Sequence, residues 1–313
     1  MRVMKFGGSS LGSAEAIRRA LRLISARRLE CPLVVASAFD GVTDSLIQLA
    51  DAALRGDSDR IAAISAQMRQ RHLVTLRHLE PDAPARHATE QALDQWFEHL
   101  SELLEETTRS GRITARSLDA ILPIGEFLST LVLGAALRGA GVNVHLLDAR
   151  ECLITDSRHG EARPLLVRVR EQLREQVEPW RQRGALILTQ GFVGCDENGN
   201  TTTLGRGGSD LSATTLAAAI GADLVEIWTD VGGVYDRDPR LHSEAQRHAH
   251  LTYDQAAGLA QLGAKILQRG CVAPAASANI PIVVRNTFAP EAGETWIGDV
   301  EKRHPGEQQA IAM

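Results

Sequence analysis

Short apolar runs alternate with longer amphipathic segments along most of this chain. The apolar runs predict buried strands at 2–6, 32–37, 142–147, 185–189, 223–228 and 280–285. Apolar residues at helical spacing predict helices at 13–27, 44–54, 118–139, 164–182, 209–221 and 252–262. Strands that alternate with helices in this way are typical of an α/β protein. We therefore predict a three-layer αβα sandwich with a mainly parallel central sheet.

The region 57–110 departs from this alternation because it contains no strand signal. Its apolar residues follow the helical period, from Ala88 to Leu104, which predicts a helical hairpin packed on one face. The four histidines of this region lack the spacing of metal ligands, and we expect them on the surface: His72, His78, His87 and His99.

Composition excludes several classes of function. The chain has 313 residues, 44% hydrophobic and 23% charged, with a net charge of −5. This is an ordinary globular balance without general attraction to nucleic acid or to an anionic membrane. The four cysteines are far apart, which argues against a zinc site or a disulfide framework and for a reducing compartment. No apolar run is expected to reach transmembrane length, so we predict a cytoplasmic protein with no nucleic-acid or membrane partner.

Lysine is rare in this chain. Of the 34 basic residues, only Lys5, Lys265 and Lys302 are lysines. The lysine ammonium is a compact charge that suits a phosphate at a crowded point. We expect that role for Lys5 and Lys265, and none for Lys302 in the polar tail.

The stretch TTTLGRGGSDLSA (201–213) predicts an anion-binding loop. Its glycines surround Arg206, and Ser209 and Asp210 then begin a helix, whose first N–H groups and dipole favour an anion. The stretch is neither a P-loop nor a dinucleotide fingerprint. Taken alone, it is equally compatible with a glycine-rich turn and a solvated arginine.

A second glycine turn follows the first predicted strand. Lys5 ends that strand, and Gly7, Gly8 and Ser9 lead into a helix, which is the supersecondary unit that cradles phosphates. Ser37 and Thr43 lie in a similar polar turn after the second strand.

Two further polar groups have candidate roles. Glu126 lies in an otherwise apolar helix, where a carboxylate is costly to bury without a cation, although it could also compensate the helix dipole. Thr229 and Asp230 follow the strand 223–228, where ligands of open α/β sheets bind.

Five segments in this order resemble the catalytic domain of aspartate kinases, in the amino-acid kinase superfamily. They are KFGGSS, SAFDGVTD, GEFLS, GFVG with TTTLGRGGSDLSA, and WTDVGGVYDRDPR followed by LGAKIL. The resemblance runs from about residue 3 to about residue 297. It implies ATP-dependent and Mg²⁺-dependent phosphorylation of the side-chain carboxylate of L-aspartate.

The resemblance also implies a role for individual residues. Arg206 would bind the α-carboxylate of the substrate and Glu126 its ammonium group. Other substrate contacts would come from Ser37, Thr43 and Ser209, and the catalytic residues would be Lys5 and Asp210. The nucleotide would be bound by Lys5, Gly7, Gly8, Ser9, Thr229, Asp230, Tyr235, Arg240 and Lys265. No side chain is assigned as a metal ligand.

The same resemblance predicts the domain organisation. Residues 1–300 would form the catalytic domain, with an amino-acid-binding lobe at about 1–190, which contains the hairpin 57–110, and a nucleotide-binding lobe at about 191–300. The polar tail would be 301–313. No ACT regulatory domain is expected in this chain, and hence no inhibition by lysine or threonine. A homodimer through the catalytic domain and a separate ACT-bearing subunit are the two protein partners left open.

Two departures from the family pattern leave alternatives. Asp40 adds a carboxylate to the acceptor turn, and Gln268 and Arg269 stand where the family commonly has His-Pro. A related enzyme that phosphorylates another small carboxylate or a phosphonate in a specialised pathway is one alternative. A non-catalytic regulatory subunit is the other.

Overall fold

The computed structural model describes residues 1–30, 32–80, 82–242, 244–261 and 270–298. Lys265, Gln268, Arg269 and the tail 301–313 lie outside these ranges. The strands are β1 (Arg2–Phe6), β2 (Leu33–Ala36), β3 (Val144–Leu147), β4 (Ile154–Thr155), β5 (Leu186–Gln190), β6 (Val193–Asp196), β7 (Thr201–Thr203), β8 (Leu224–Thr229), β9 (His250–Leu251), β10 (Ile282–Asn286) and β11 (Glu294–Ile297). The helices are α1 (Gly8–Leu11), α2 (Ala14–Ser25), α3 (Val42–Arg55), α4 (Ser58–Leu79), α5 (Ala83–Ser110), α6 (Ala115–Ile121), α7 (Ile124–Gly139), α8 (Ala149–Cys152), α9 (Leu166–Gln176), α10 (Glu178–Gln182), α11 (Gly208–Ile220), α12 (Tyr253–Gln261) and α13 (Ala273–Ser277).

The main sheet is largely parallel. Within the described ranges it has the strand order β3-β5-β2-β1-β8-β10-β11-β9. The first six strands in this order, β3, β5, β2, β1, β8 and β10, pair in parallel with their neighbours. β11 runs antiparallel to β10. A smaller sheet contains β4, β6 and β7, and the antiparallel hairpin of β6 and β7 turns at the predicted 196–200 loop. The prediction of a mainly parallel sheet is confirmed.

Helices cover both faces of the main sheet, because successive residues of each strand point to opposite sides. In β1, Met4 and Phe6 pack into the core formed with α2, α3, α4, α5 and α7. Val3, the residue before Met4, packs into a second core formed with α9, α11 and α13. The two cores and the sheet between them make the predicted αβα sandwich.

Two predicted helices are each divided in the structure. The stretch 118–139 becomes α6 and α7, separated at Pro123, and the stretch 164–182 becomes α9 and α10, separated before Pro179. Proline lacks the N–H that would continue a helix, and its ring clashes with the preceding turn. The region between β1 and α2 differs as well: the predicted glycine turn includes the short helix α1.

The stretch Ala115–Gly139 corrects the expectation that no apolar run reaches transmembrane length. It is long and apolar enough to cross a membrane by length and composition, with a mean hydropathy of 1.8. However, 83% of its apolar window is buried inside the protein. The hydrophobicity of this stretch therefore serves the core under the sheet.

Two long helices, α4 and α5, occupy the region in which the sequence predicts a helical hairpin. The expectation that His72 lies on the surface is wrong, because this residue is fully buried. Its ring stacks on Phe39, with ring centroids 4.5 Å apart, and its Nδ1 lies 2.8 Å from the carbonyl oxygen of Met68. Burial lowers the pKa of His72 to about 4, so the ring is neutral at physiological pH.

Candidate active site

The predicted acceptor and catalytic residues line one pocket at the carboxyl ends of the central strands. Its volume is about 320 Å³. The predicted residues in its wall are Lys5, Gly8, Ser37, Thr43, Glu126, Arg206, Ser209 and Asp210. They come from β1, α1, α3, α7, α11 and the loops after β2 and β7, so the fold brings together residues that are far apart in sequence.

Lys5 and Asp210 form a largely buried ion pair in this pocket. The Nζ atom of Lys5 lies 2.7 Å from Oδ1 of Asp210, and the two side chains are only 11% and 9% exposed. β1 supplies the lysine, and the first turn of α11 supplies the aspartate. Charges in such a poorly hydrated place interact more strongly than they would in water. The pair therefore presents a preorganised ammonium group to the pocket.

Left-handed backbone shapes the loop that carries Arg206. Gly205 and Gly207 both have a φ of +73°, a conformation that side chains with a Cβ rarely adopt. Gly207 is also the N-cap of α11. Arg206, between them, is exposed and forms no ion pair or hydrogen bond with any residue that the structure describes. Its guanidinium is therefore available to an anion in the pocket.

Glu126 contributes the opposite charge from a buried position. The residue is 3% exposed, and its Oε2 has no hydrogen-bond partner among the described residues. Burial raises the pKa of Glu126 to about 8, while backbone hydrogen bonds at Ala38 and at Glu126 itself and the charge of Lys5 act in the other direction. A cationic group in the pocket would satisfy this carboxylate and restore its negative charge.

The loop that follows β2, residues 37–41, is held from two sides. Ser129 of α7 donates a hydrogen bond of 2.6 Å to the carbonyl oxygen of Ser37. Arg71 of α4 donates to the carbonyl oxygens of Asp40 and Gly12, at 2.6 and 2.8 Å. Sequence reasoning assigned no role to Arg71, because nothing in its local sequence distinguishes it from other arginines on an amphipathic helix.

The remaining predicted nucleotide residues lie beyond β8, outside the lining of this pocket. Thr229 donates a hydrogen bond of 3.2 Å to Asp230, and Arg240 lies 3.4 Å from the same carboxylate. Tyr235 is half-buried in the following loop. The N–H of Gly7 donates to the carbonyl oxygen of Trp228, at 3.0 Å, and joins this region to the first glycine turn.

Ser9 is half-buried in α1, next to Gly8. The predicted role of Lys265 stays a prediction, because this residue lies outside the described ranges.

A second, larger concavity lies between α4 and α5. Its volume is about 620 Å³, and it is lined mainly by apolar groups such as Ile61, Phe97 and Leu104. None of the predicted site residues contributes to it.

Comparison with known proteins places the chain in a family. A sequence model of the amino acid kinase family matches residues 1–286. The chain therefore belongs to the amino acid kinase family. Among its relatives, the lysine-sensitive aspartokinase 3 of Escherichia coli is 34% identical over 304 residues, which are 97% of this chain and 65% of that protein. Aspartokinase 1 of Arabidopsis thaliana, a chloroplastic protein, is 33% identical over 94% of this chain and 51% of its own length.

Solved structures give the same result. The chain superposes on E. coli aspartokinase III in complex with aspartate and ADP, in its R-state, with a TM-score of 0.88 and 33% identity. This match covers 96% of the present chain and 64% of that one. UMP kinase from Ureaplasma parvum, at 15% identity and a TM-score of 0.52, shares the fold alone. The resemblance to aspartate kinases is thus confirmed, and the chain spans less than two thirds of the length of the E. coli enzyme.

Proposed function

We propose that this chain catalyses the ATP-dependent phosphorylation of the side-chain carboxylate of L-aspartate, which gives 4-phospho-L-aspartate. One observation carries the proposal: Glu126, a buried carboxylate with one unpartnered oxygen, and Arg206, a guanidinium unpaired among the described residues, line the same pocket. An α-amino acid needs one fixed anion for its ammonium and one fixed cation for its carboxylate. The similarity to an aspartokinase solved with aspartate and ADP supports this choice of substrate.

Ser37, Thr43 and Ser209 are the other pocket residues that we propose to contact the acceptor. Their hydroxyl groups can donate to a carboxylate and accept from an ammonium group. Asp40, exposed in the same lining, is the residue most able to change acceptor preference, because it adds a negative charge to the entrance.

The proposed reaction requires little covalent chemistry from the protein. A carboxylate acceptor is already ionised at neutral pH, so the reaction requires no strong general base. Positioning and electrostatic stabilisation are then the main contributions. Lys5 would stabilise the negative charge of the transferring phosphoryl group, and Asp210 would hold the ammonium in place through the 2.7 Å ion pair.

The nucleotide would lie along the same edge of the sheet. We propose that its phosphates meet Lys5, Gly7, Gly8 and Ser9, and that Thr229, Asp230, Tyr235, Arg240 and Lys265 complete the site. The region from about 191 to 300 would thus supply most of the nucleotide contacts, and the region from 1 to about 190 most of the acceptor contacts.

We propose that Mg²⁺ would be bound mainly through the nucleotide. No group of three His, Cys, Asp or Glu side chains in the described part of the chain could hold a metal ion alone. Mg²⁺ in kinases is commonly held by substrate phosphates and one or two carboxylates, and it neutralises charge on the phosphates. Asp40, Glu126 and Asp210 are the carboxylates in the pocket lining, and none of them is assigned as a metal ligand.

A hydroxylamine assay tests the proposal directly. The purified chain, ATP and Mg²⁺ are incubated with L-aspartate, or with a panel of other small carboxylates and phosphonates, and acyl phosphate is trapped as the hydroxamate while ADP is measured in parallel. We expect aspartyl hydroxamate, and only background with Lys5→Ala. Turnover with another acceptor but never with aspartate would disprove the substrate assignment. Absence of turnover with every acceptor would disprove the kinase assignment.

A further inference from the structure

Asp119 is a buried carboxylate that lies outside the pocket, and the proposed mechanism does not use it. The residue is 0% exposed and lies in α6. Its Oδ2 is 2.8 Å from Nδ1 of His159, and both of its oxygens accept from the N–H of Gly160 at 3.1 Å. The hydroxyl of Thr203 donates to Oδ1 at 2.5 Å. A buried charge with this many donors is a satisfied one, so its position is strongly defined.

On one side, Asp119 is connected to Glu126 through a short stretch of chain. The N–H of Leu122 donates to the carbonyl oxygen of Leu118 at 2.8 Å, and the N–H of Glu126 donates to the carbonyl oxygen of Pro123 at 3.0 Å. The last turn of α6 and the first turn of α7 therefore adjoin, with only Leu122 and Pro123 between the two helices. We expect a shift of α6 to displace the first turn of α7, which carries Glu126.

On the other side, the contacts of Asp119 hold the approach to Arg206. Thr203 ends β7, three residues before Arg206, and its carbonyl oxygen accepts from the N–H of Ala162 at 2.9 Å. The carbonyl oxygen of Gly160 lies 3.0 Å from the point where a Cβ on Gly205 would be. Gly160 therefore packs directly against the residue that precedes Arg206.

We infer that Asp119 is a positioning residue that sets the Arg206 loop at a defined distance from Glu126. This inference rests on the proposed function, in which these two side chains bind the two charged groups of an α-amino acid. Asp119 lies on α6, the helix that leads to Glu126, and its carboxylate accepts hydrogen bonds from the two segments that support Arg206. The geometry of acceptor recognition then depends on a residue that never touches the acceptor.

The test compares Asp119→Asn with a matched control, Asp196→Asn. Asp196 is also buried, and it accepts from the hydroxyl of Ser157 and from the backbone N–H groups of Asn198 and Asn200 at 2.9 to 3.0 Å. It holds the opposite end of the β6–β7 hairpin, away from the pocket lining. A purely structural role would give the two variants similar kinetics.

We expect Asp119→Asn to raise the KM for aspartate about tenfold or more, because small misplacements of binding groups are costly. The kcat should change less than about threefold and the KM for ATP should stay constant, since the contact with the α-carboxylate is remote from the transferred group. Asp196→Asn should leave all three constants unchanged. Equal KM values for aspartate in Asp119→Asn and the wild type would overturn the inference.

A second pair of variants keeps the test decisive if Asp119→Asn fails to fold. Thr203→Val removes the hydroxyl that donates to Asp119, and Thr203→Ser retains it. We expect the valine variant to raise the KM for aspartate and the serine variant to match the wild type. Similar KM values in the two variants would contradict the inference. If the wild type phosphorylates another acceptor, the substrate proposal fails, and the same KM comparisons are made with that acceptor. If the wild type phosphorylates no acceptor, both the proposed function and this inference fail.

Discussion

The protonation of Glu126 should make the binding of aspartate strongly dependent on pH. Burial raises the pKa of Glu126 to about 8, so at neutral pH the free protein holds this carboxyl mostly neutral. Pairing with a substrate ammonium requires the charged form. Binding must therefore release a proton, and kcat/KM for aspartate should rise with pH up to about pH 8 and level off above it.

The expected magnitude follows from the position of this pKa. Each pH unit below about 8 costs roughly 1.4 kcal/mol, or a factor of about ten in kcat/KM for aspartate. In the variant Glu126→Gln the charge is absent at every pH. Breaking a buried ion pair costs about 3 kcal/mol or more, so above pH 8 the variant should be at least roughly 150-fold worse than the wild type. Near pH 6 the two proteins should differ little, because the wild type has lost about two factors of ten.

The assay measures initial rates of ADP formation from about pH 6 to about pH 9, with aspartate varied and ATP saturating. The informative quantity is the ratio of kcat/KM between the wild type and Glu126→Gln, since titration of the nucleotide and of aspartate itself cancels in that ratio. Thermal unfolding at each pH confirms that both proteins are folded. A ratio that does not change with pH would refute the reasoning, because it would show that Glu126 binds no proton that the substrate must displace.

Three other variants test the pocket. Lys5→Ala should lower kcat about 10²- to 10³-fold at saturating substrates, as expected for the loss of one preorganised charge contact, and an unchanged kcat would remove Lys5 from the catalytic role. Arg206→Lys should raise the KM for aspartate through loss of bidentate geometry, with kcat little changed; unaltered aspartate kinetics would show that the α-carboxylate binds elsewhere. In Gly125→Ala the new Cβ would lie 2.8 Å from the Cβ of Ala38, so we expect an overpacking cost of about 1–3 kcal/mol in thermal unfolding and a higher KM for aspartate. Gly258→Ala in α12, where a Cβ would meet no atom of the described residues within 4 Å, is the matched control and should not destabilise the protein; equal effects of the two substitutions would contradict the packing argument.

Local sequence was sufficient to predict the six parallel strands β3, β5, β2, β1, β8 and β10 and the loops that form the pocket, but not β9 and β11, the two short strands beyond β10. A strand buried on both faces consists of continuous apolar residues, as in LVVA of β2, and every residue of that strand is buried. Glycines mark the loop around Arg206 because the backbone there has positive φ. These signals are readable because their causes lie within a few residues of the chain.

The tertiary structure alone decided the state of several polar side chains. Burial in the folded protein raises the pKa of Glu126 to about 8, and the ring of His72 is covered by Phe39, which comes from another segment. The position of Asp119 between Gly160 and Thr203 is equally invisible in its own helix. The partners in these contacts are separated by 33 to 92 residues, as in the bond from Ser129 to Ser37 and the stack of His72 on Phe39. The periodicity of side chains along the sequence cannot predict such distant neighbours, because desolvation and hydrogen bonding depend on which elements pack together after the chain has folded.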